Sequence, residues 1–285
     1  MKAIDIKIDK KYTPILVRID HYRDLISSII FEPIFEPLQL LVINTDNAEV
    51  KINSIDDIIS WHKELSYSFV TKVINIENEI LYLLDKEDIY SASILLRHHM
   101  EQCGYITLAM EIFLEYTKNN SLEILEKFIA KTSFGSSFCN NKKFKNTLET
   151  FAATRTPKII DFIDALDRFI NKNLESNNKK LLFSINYSAL NHFAHPSSLS
   201  SIFFVDSREV ENGHIINFKY EQNNLGDFGK YNLLKLLEQN IIAGYTSYFV
   251  FNSFEFKDNK IVQSMEKLKY SWENIINYYE KNYDE

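Results

Sequence analysis

Glycine is scarce in this chain: 6 of its 285 residues, against a usual share of roughly 7%. Loops that cradle phosphates need glycine where backbone must approach the phosphate or adopt positive φ. Neither G-x-G-x-x-G nor G-x-x-x-x-G-K-[ST] occurs, which argues against Rossmann and P-loop enzymes. Proline is equally rare, at 5. With so little turn chemistry, the uninterrupted segments must be long, and long helices follow. Cysteine is limited to Cys103 and Cys139, too few for a disulfide scaffold or a cysteine-only metal site.

Long apolar runs are missing too. The stretch 38–43, broken by Gln39, falls far short of the ~20 residues that a membrane helix needs. Met1–Lys7 alternates apolar and charged residues and lacks the apolar core of a signal peptide. A soluble cytoplasmic protein with no membrane partner is expected. The net charge of −7 removes the broad basic footprint of a nucleic-acid-coating protein, but leaves room for a small, locally basic site.

What the chain does have is an ordinary globular balance of 45% apolar and 25% charged residues. It is rich in Lys, Asn, Ile, Phe and Tyr, as in AT-rich bacterial genomes. The spacing predicts one mostly α-helical domain. An irregular arm and a helix fill 1–53, with Ile4–Asp9 alternating like an edge strand or extended arm and a helix over Asp20–Ile30. From Ser54, a natural N-cap followed by Asp56 and Asp57, apolar residues recur at helical spacing to about Leu84. A second long helix is predicted over Ile89–Tyr116. Shorter ones follow over Leu122–Lys131, Phe144–Phe151, Lys158–Leu174 and Lys180–His195, the last halted by Pro196. Asn212-Gly213 signals a small β-hairpin within 201–220, flanked by Ser201–Val205 and His214–Tyr220. Two C-terminal helices, Tyr231–Asn252 and Asn259–Tyr283, complete the 228–285 segment.

Two clusters carry residues able to do chemistry. In the second long helix, Arg97 and Glu101 stand one turn apart with Ser93, Gly104 and Leu108 on the same side, bordering the apolar face. They read either as an i,i+4 ion pair or as a functional pair at the edge of the core. Gly104 leaves room there for a neighbouring helix or a ligand. In the later helix, His192 and His195 share a face, with Tyr187 and Ser188 near it. His195 falls in the last turn, where the helix dipole favours an imidazolium. The bland reading is that these groups cap a helix end.

Metal chemistry finds little support. No H-E-x-x-H occurs, neither helix carries Glu-x-x-His, and the adjacent His98 and His99 point about 100° apart. No metal and no cofactor are expected. A serine or cysteine hydrolase fares no better: G-x-S-x-G is absent, and neither cysteine has a convincing histidine partner nearby in sequence.

Ala92-Ser93-Ile94-Leu95-Leu96-Arg97-His98-His99-Met100-Glu101 forms an A-x-x-L-x-R-x-x-x-E helix. Arg155-Thr156-Pro157, Ile163-Asp164-Ala165-Leu166, Tyr187-Ser188-Ala189-Leu190 and His195-Pro196-Ser197 follow in order. This succession resembles a bacterial family of unknown function within the HEPN-like (higher eukaryotes and prokaryotes nucleotide-binding) helical superfamily, over roughly 55–200, with 54–200 as its core. The resemblance implies a helical bundle in which Arg97, Glu101 and His195 converge. Many members are metal-independent endoribonucleases, acting as toxins or antiviral effectors, and they are usually dimers. On that pattern His195 is the acid/base, Arg97 the phosphate ligand and Glu101 an orienting partner, with Tyr187, His192 and Ser93 lining the substrate site.

The chain departs from the family in one respect. Its R-x4-6-H match, Arg208 to His214, runs across the Asn212-Gly213 turn, so Arg97 and His195 must meet across two helices instead. RNA or a nucleotide is then the implied ligand, and a homodimer the implied assembly. The alternative is a non-catalytic helical module that binds a nucleotide or a partner protein. Such a module would expose apolar surface among Phe249, Phe251, Phe254 and Phe256. The stripe Trp272, Ile275, Ile276 and Tyr279 would serve either dimerisation or the chain's own core.

Overall fold

The computed structural model describes residues 2–27, 41–44, 49–52, 54–119, 121–134, 157–173, 181–194, 207–211, 214–219 and 226–253. The described residues are mostly helical, as the scarcity of turn residues demands. The first turns differ from expectation. Ala3–Asp5 is a 3-10 turn, so the expected arm over Ile4–Asp9 starts helically; Ile6 is extended and no strand forms over 4–9. Both carboxylate oxygens of Asp20 explain the turn, accepting the Ala3 amide at 2.6 Å and the Ile4 amide at 2.9 Å. A second 3-10 turn, Lys10–Tyr12, leads into α1, Thr13–Ser27. Helix α1 begins well before the predicted Asp20. Pro14, with its preset φ, falls in the first turn and is the start signal that apolar spacing misses.

Strands β1 (Leu41–Asn44) and β2 (Glu49–Lys51) pair antiparallel, an element with no counterpart in the sequence reading. Helix α2, Ile55–Asp85, opens on a capping box: the Ser54 hydroxyl accepts the Asp57 amide, and the Asp57 carboxylate accepts the Ser54 amide. Its end is closed by the Glu87 amide on the Leu84 carbonyl and the Asp88 amide on the Leu83 carbonyl, a Schellman arrangement. The left-handed position usually given to glycine is held by Glu87, at φ 63°. Asp88 then accepts the Ser91 amide at 3.0 Å and caps α3, Ile89–Asn119. The chain thus reverses direction within residues 86–88.

Helix α3 is the centre of the fold. Around it pack α2, α4 (Leu122–Phe134), α5 (Ile159–Asn173), α6 (Leu182–Ala194) and α7 (Gly226–Ser253). Two glycines allow the closest approaches. A Cβ on Gly104 would lie 2.5 Å from the Phe162 carbonyl oxygen of α5, and one on Gly244 of α7 would lie 2.5 Å from the Cys103 sulfur. Neighbouring positions on α3 therefore receive α5 and α7. Gly104 makes room for a helix rather than for a ligand.

Helix α7 is buried almost all round, through Leu234, Leu237, Ile241, Ile242, Tyr245 and Phe249. Phe249 and Phe251, expected at the surface of an interaction module, are fully buried instead. Phe251 packs edge-on against Trp61 and Phe113 and stacks on His62. That aromatic cluster holds α7 to α2 and α3.

Strands β3 (Ser207–Glu211) and β4 (His214–Lys219) pair antiparallel, with Glu211 opposite His214. Ser201–Val205 and Asn212-Gly213 lie outside the described residues. So do the predicted helices Phe144–Phe151 and Asn259–Tyr283, with Cys139, Arg155, Thr156, Phe254, Phe256 and the stripe from Trp272 to Tyr279. Among the described residues no helix is long and apolar enough to cross a membrane.

Candidate functional site

The α3–α6 contact brings Arg97, Glu101 and Tyr187 together. Arg97 Nε and Nη2 both donate to the Tyr187 phenol oxygen, at 3.1 and 3.0 Å. The phenol donates its own proton to Glu101 Oε1 at 2.8 Å. Arg97 Nε lies 3.3 Å from that same carboxylate oxygen. The second oxygen, Oε2, sits 3.4 Å from His98 Nδ1. One carboxylate therefore gathers a guanidinium, an imidazole and a phenol, and the three-way contact spans two helices.

Exposure grades across this cluster. The Arg97 and Glu101 side chains are 21% and 16% exposed, whereas His98 is 51% exposed. Arg97 is fixed through Nε and Nη2 and His98 through Nδ1, while Nη1 of Arg97 and Nε2 of His98 have no hydrogen-bond partner among the described residues.

The electrostatics follow from these contacts. Burial opposes ionisation of Glu101, but the bonds from His98 and Tyr187 and the Arg97 charge outweigh it, holding the carboxyl below its ordinary range. Burial, together with the bond to the Glu101 carboxylate, pushes the Tyr187 phenol up to about 12, against the pull of Arg97. Tyr187 is accordingly no base near neutral pH. It works as a rigid connector whose oxygen accepts twice and donates once.

Helix α6 is positioned from a distance. Its start lacks a capping side chain of its own, because Leu181 occupies that position. Asp167 of α5 supplies the cap: its carboxylate accepts the Phe183 amide at 2.8 Å and the Ser184 amide at 3.0 Å. The Ser184 hydroxyl donates to it as well. Burial raises the Asp167 carboxyl above its usual value, while these bonds lower it. Tyr187 stands one turn beyond that anchor.

The remaining sequence candidates fall in different places. Ser93 is buried, with its hydroxyl donating to the Ile89 carbonyl at 2.8 Å, so its hydroxyl is engaged within α3. His192 is exposed on α6. His195 follows Ala194, the last residue of α6, and lies outside the described residues. His98, read from sequence only as a metal-ligand candidate, belongs to the cluster.

A second polar group, missed from sequence, lies on the opposite side of α3. Glu77 of α2 is fully buried. It accepts the Tyr245 hydroxyl at 2.7 Å and Arg23 Nε at 3.1 Å, and lies 2.9 Å from His99 Nε2. Arg23 also donates to Asn78 at 2.6 Å. Cys103 sits 3.8 Å from His99 Nδ1, so this cysteine does have a histidine beside it, one turn earlier on α3. Burial drives the Cys103 thiol well above its ordinary value, the opposite of what a nucleophile requires. This network ties α1, α2, α3 and α7 together. The only signal available in the sequence is the polar residue breaking an apolar stripe.

Comparison of the chain with protein-family models, with curated proteins and with solved structures gives no match.

Proposed function

We propose that this chain is a HEPN-like protein that cleaves RNA without a metal ion, as a bacterial toxin or antiviral effector. The observation that carries this reading is the Glu101 carboxylate holding Arg97 in place while Nη1 of its guanidinium remains available to a ligand. A guanidinium fixed by a carboxylate and a phenol is preorganised to accept negative charge on a phosphodiester. His195, the residue after α6 in sequence, would act as the acid that protonates the leaving 5′-oxygen. Glu101 and Tyr187 orient Arg97, and His192 would support the strand bound along α6.

The test is cleavage of a mixed-sequence single-stranded RNA by the full chain in the presence of EDTA. Arg97→Ala and His195→Ala should each lower the rate by about 100-fold or more while the circular dichroism melt keeps a folded profile. An inactive wild-type protein would overturn the proposal.

A second reading has an observation of its own. Glu101 and the Tyr187 hydroxyl satisfy each other, so the cluster also works as a lock between α3 and α6 in a non-catalytic nucleotide- or protein-binding module. On that reading RNA is not turned over, and Arg97→Ala lowers the melting temperature alone.

A further inference from the structure

We infer that His98 is the general base of the α3 site, the group that takes the proton from a ribose 2′-hydroxyl. This rests on the ribonuclease reading above and adds a residue to it. Transphosphorylation of RNA requires two proton movements, one off the attacking 2′-oxygen and one onto the leaving 5′-oxygen. An acid provides only the second. The group that performs the first must offer an unprotonated ring nitrogen or carboxylate oxygen without a partner and must stand beside the phosphate ligand.

His98 meets these conditions by geometry. It is the neighbour of Arg97 in the chain, yet helical spacing sends the two side chains in different directions, and Glu101 draws them back together. Glu101 Oε1 lies 3.3 Å from Arg97 Nε and Oε2 lies 3.4 Å from His98 Nδ1. A carboxylate beside Nδ1 selects the tautomer with the proton on that nitrogen. The lone pair is then on Nε2, which has no partner among the described residues and belongs to a half-exposed ring. His99, the next residue, shows the contrast. It is fully buried, its Nε2 is taken by Glu77, and it cannot reach a ligand. Among the described residues, Glu101 binds His98 directly, and Arg97 from α3 and Tyr187 from α6 join it through the same carboxylate. Tyr187 is too weak an acid to compete for the role near neutral pH.

Nε2 of His98 takes the 2′-hydroxyl proton as the 2′-oxygen forms its bond to phosphorus. The phosphorus–O5′ bond breaks, and the leaving oxygen takes up one proton from the acid of the reading above. Arg97 neutralises charge on the non-bridging oxygens. The products are a 2′,3′-cyclic phosphate end and a 5′-hydroxyl end, and exchange of protons with water restores both groups.

The experiment compares the wild-type chain, His98→Ala and His98→Asn on one single-stranded RNA oligonucleotide in EDTA, from acidic to alkaline pH. The asparagine keeps a donor near the Nδ1 position and so preserves the Glu101 contact, but has no basic nitrogen. Both variants should keep the wild-type melting temperature, since the ring is half exposed. Both should lose about 100-fold or more in kcat with little change in KM, and the acidic limb of the pH–rate profile should flatten. If the wild type cleaves and leaves 2′,3′-cyclic ends while His98→Asn stays within threefold of it with the same pH profile, the role of His98 is overturned and the ribonuclease reading stands. If the wild type does not cleave the RNA at all, that reading falls and the role of His98 falls with it.

Discussion

The Tyr187 phenol oxygen stands 2.8 Å from Glu101 Oε1 and 3.0 Å from Arg97 Nη2, joining α6 to α3 across 86 residues of sequence. Every hydrogen-bonding position on that oxygen is filled. Removing it leaves two charged groups with a shared vacancy in a mostly buried place. Tyr187→Phe should therefore lower unfolding stability by about 1–2 kcal/mol, read as a lower midpoint in urea. An unchanged midpoint would contradict the role of Tyr187 as the connector between these helices.

Glu101 makes the stability depend on pH in a stated direction. Its carboxyl is held below its ordinary value in the folded protein, so folding favours the ionised form. That contribution is complete above the unfolded-state value of 4.5 and is lost as pH falls through the lower folded value. Glu101→Gln should reduce stability at neutral pH, and its difference from wild type should shrink as the pH is taken below 4.5. Chemical unfolding at a series of pH values checks this. A difference that stays constant down to strongly acidic pH would contradict it.

Glu77 carries the larger structural load. It is fully buried and holds Arg23, His99 and Tyr245 at once. Glu77→Gln preserves the shape but removes the carboxylate charge from the Arg23 guanidinium, which keeps Asn78 and, at 3.6 Å, Asp20 among its partners. Breaking a buried pair in this way costs about 3–5 kcal/mol, and the surviving partners place the expected loss near the lower figure. Urea unfolding of the full chain measures it. A loss under about 1 kcal/mol would show that the network contributes little.

Much of the helical layout was legible because its signals are local. Ser54 and Asp57 lie three residues apart and make the capping box that their identities suggest. The same holds for Arg97 and Glu101, whose spacing alone puts them on one side of a helix at the edge of the core. The reversal at 86–88 was legible only as the gap between two helices, since Glu87 occupies a left-handed position with no glycine to announce it. Tyr187 could be read as a candidate but not as the partner of Glu101, because nothing in sequence fixes how α6 lies on α3. The cap that Asp167 provides for α6 was invisible for the same reason. The interaction-module alternative required Phe249 and Phe251 at a surface, and sequence could not decide it, because aromatic density does not say which way a helix faces. The packing of α7 against α2 and α3 does.

On the reading proposed above, Arg97 receives a phosphodiester that His195 also contacts. A crystal structure of the full chain with a 2′-deoxy oligonucleotide, which binds but cannot be cleaved by 2′-oxygen attack, tests it most directly. The expected result is a phosphate oxygen about 3 Å from Arg97 Nη1, with the His195 ring on the same phosphate. An oligonucleotide bound elsewhere, or His195 turned away from Arg97 with the phosphate absent, would contradict it.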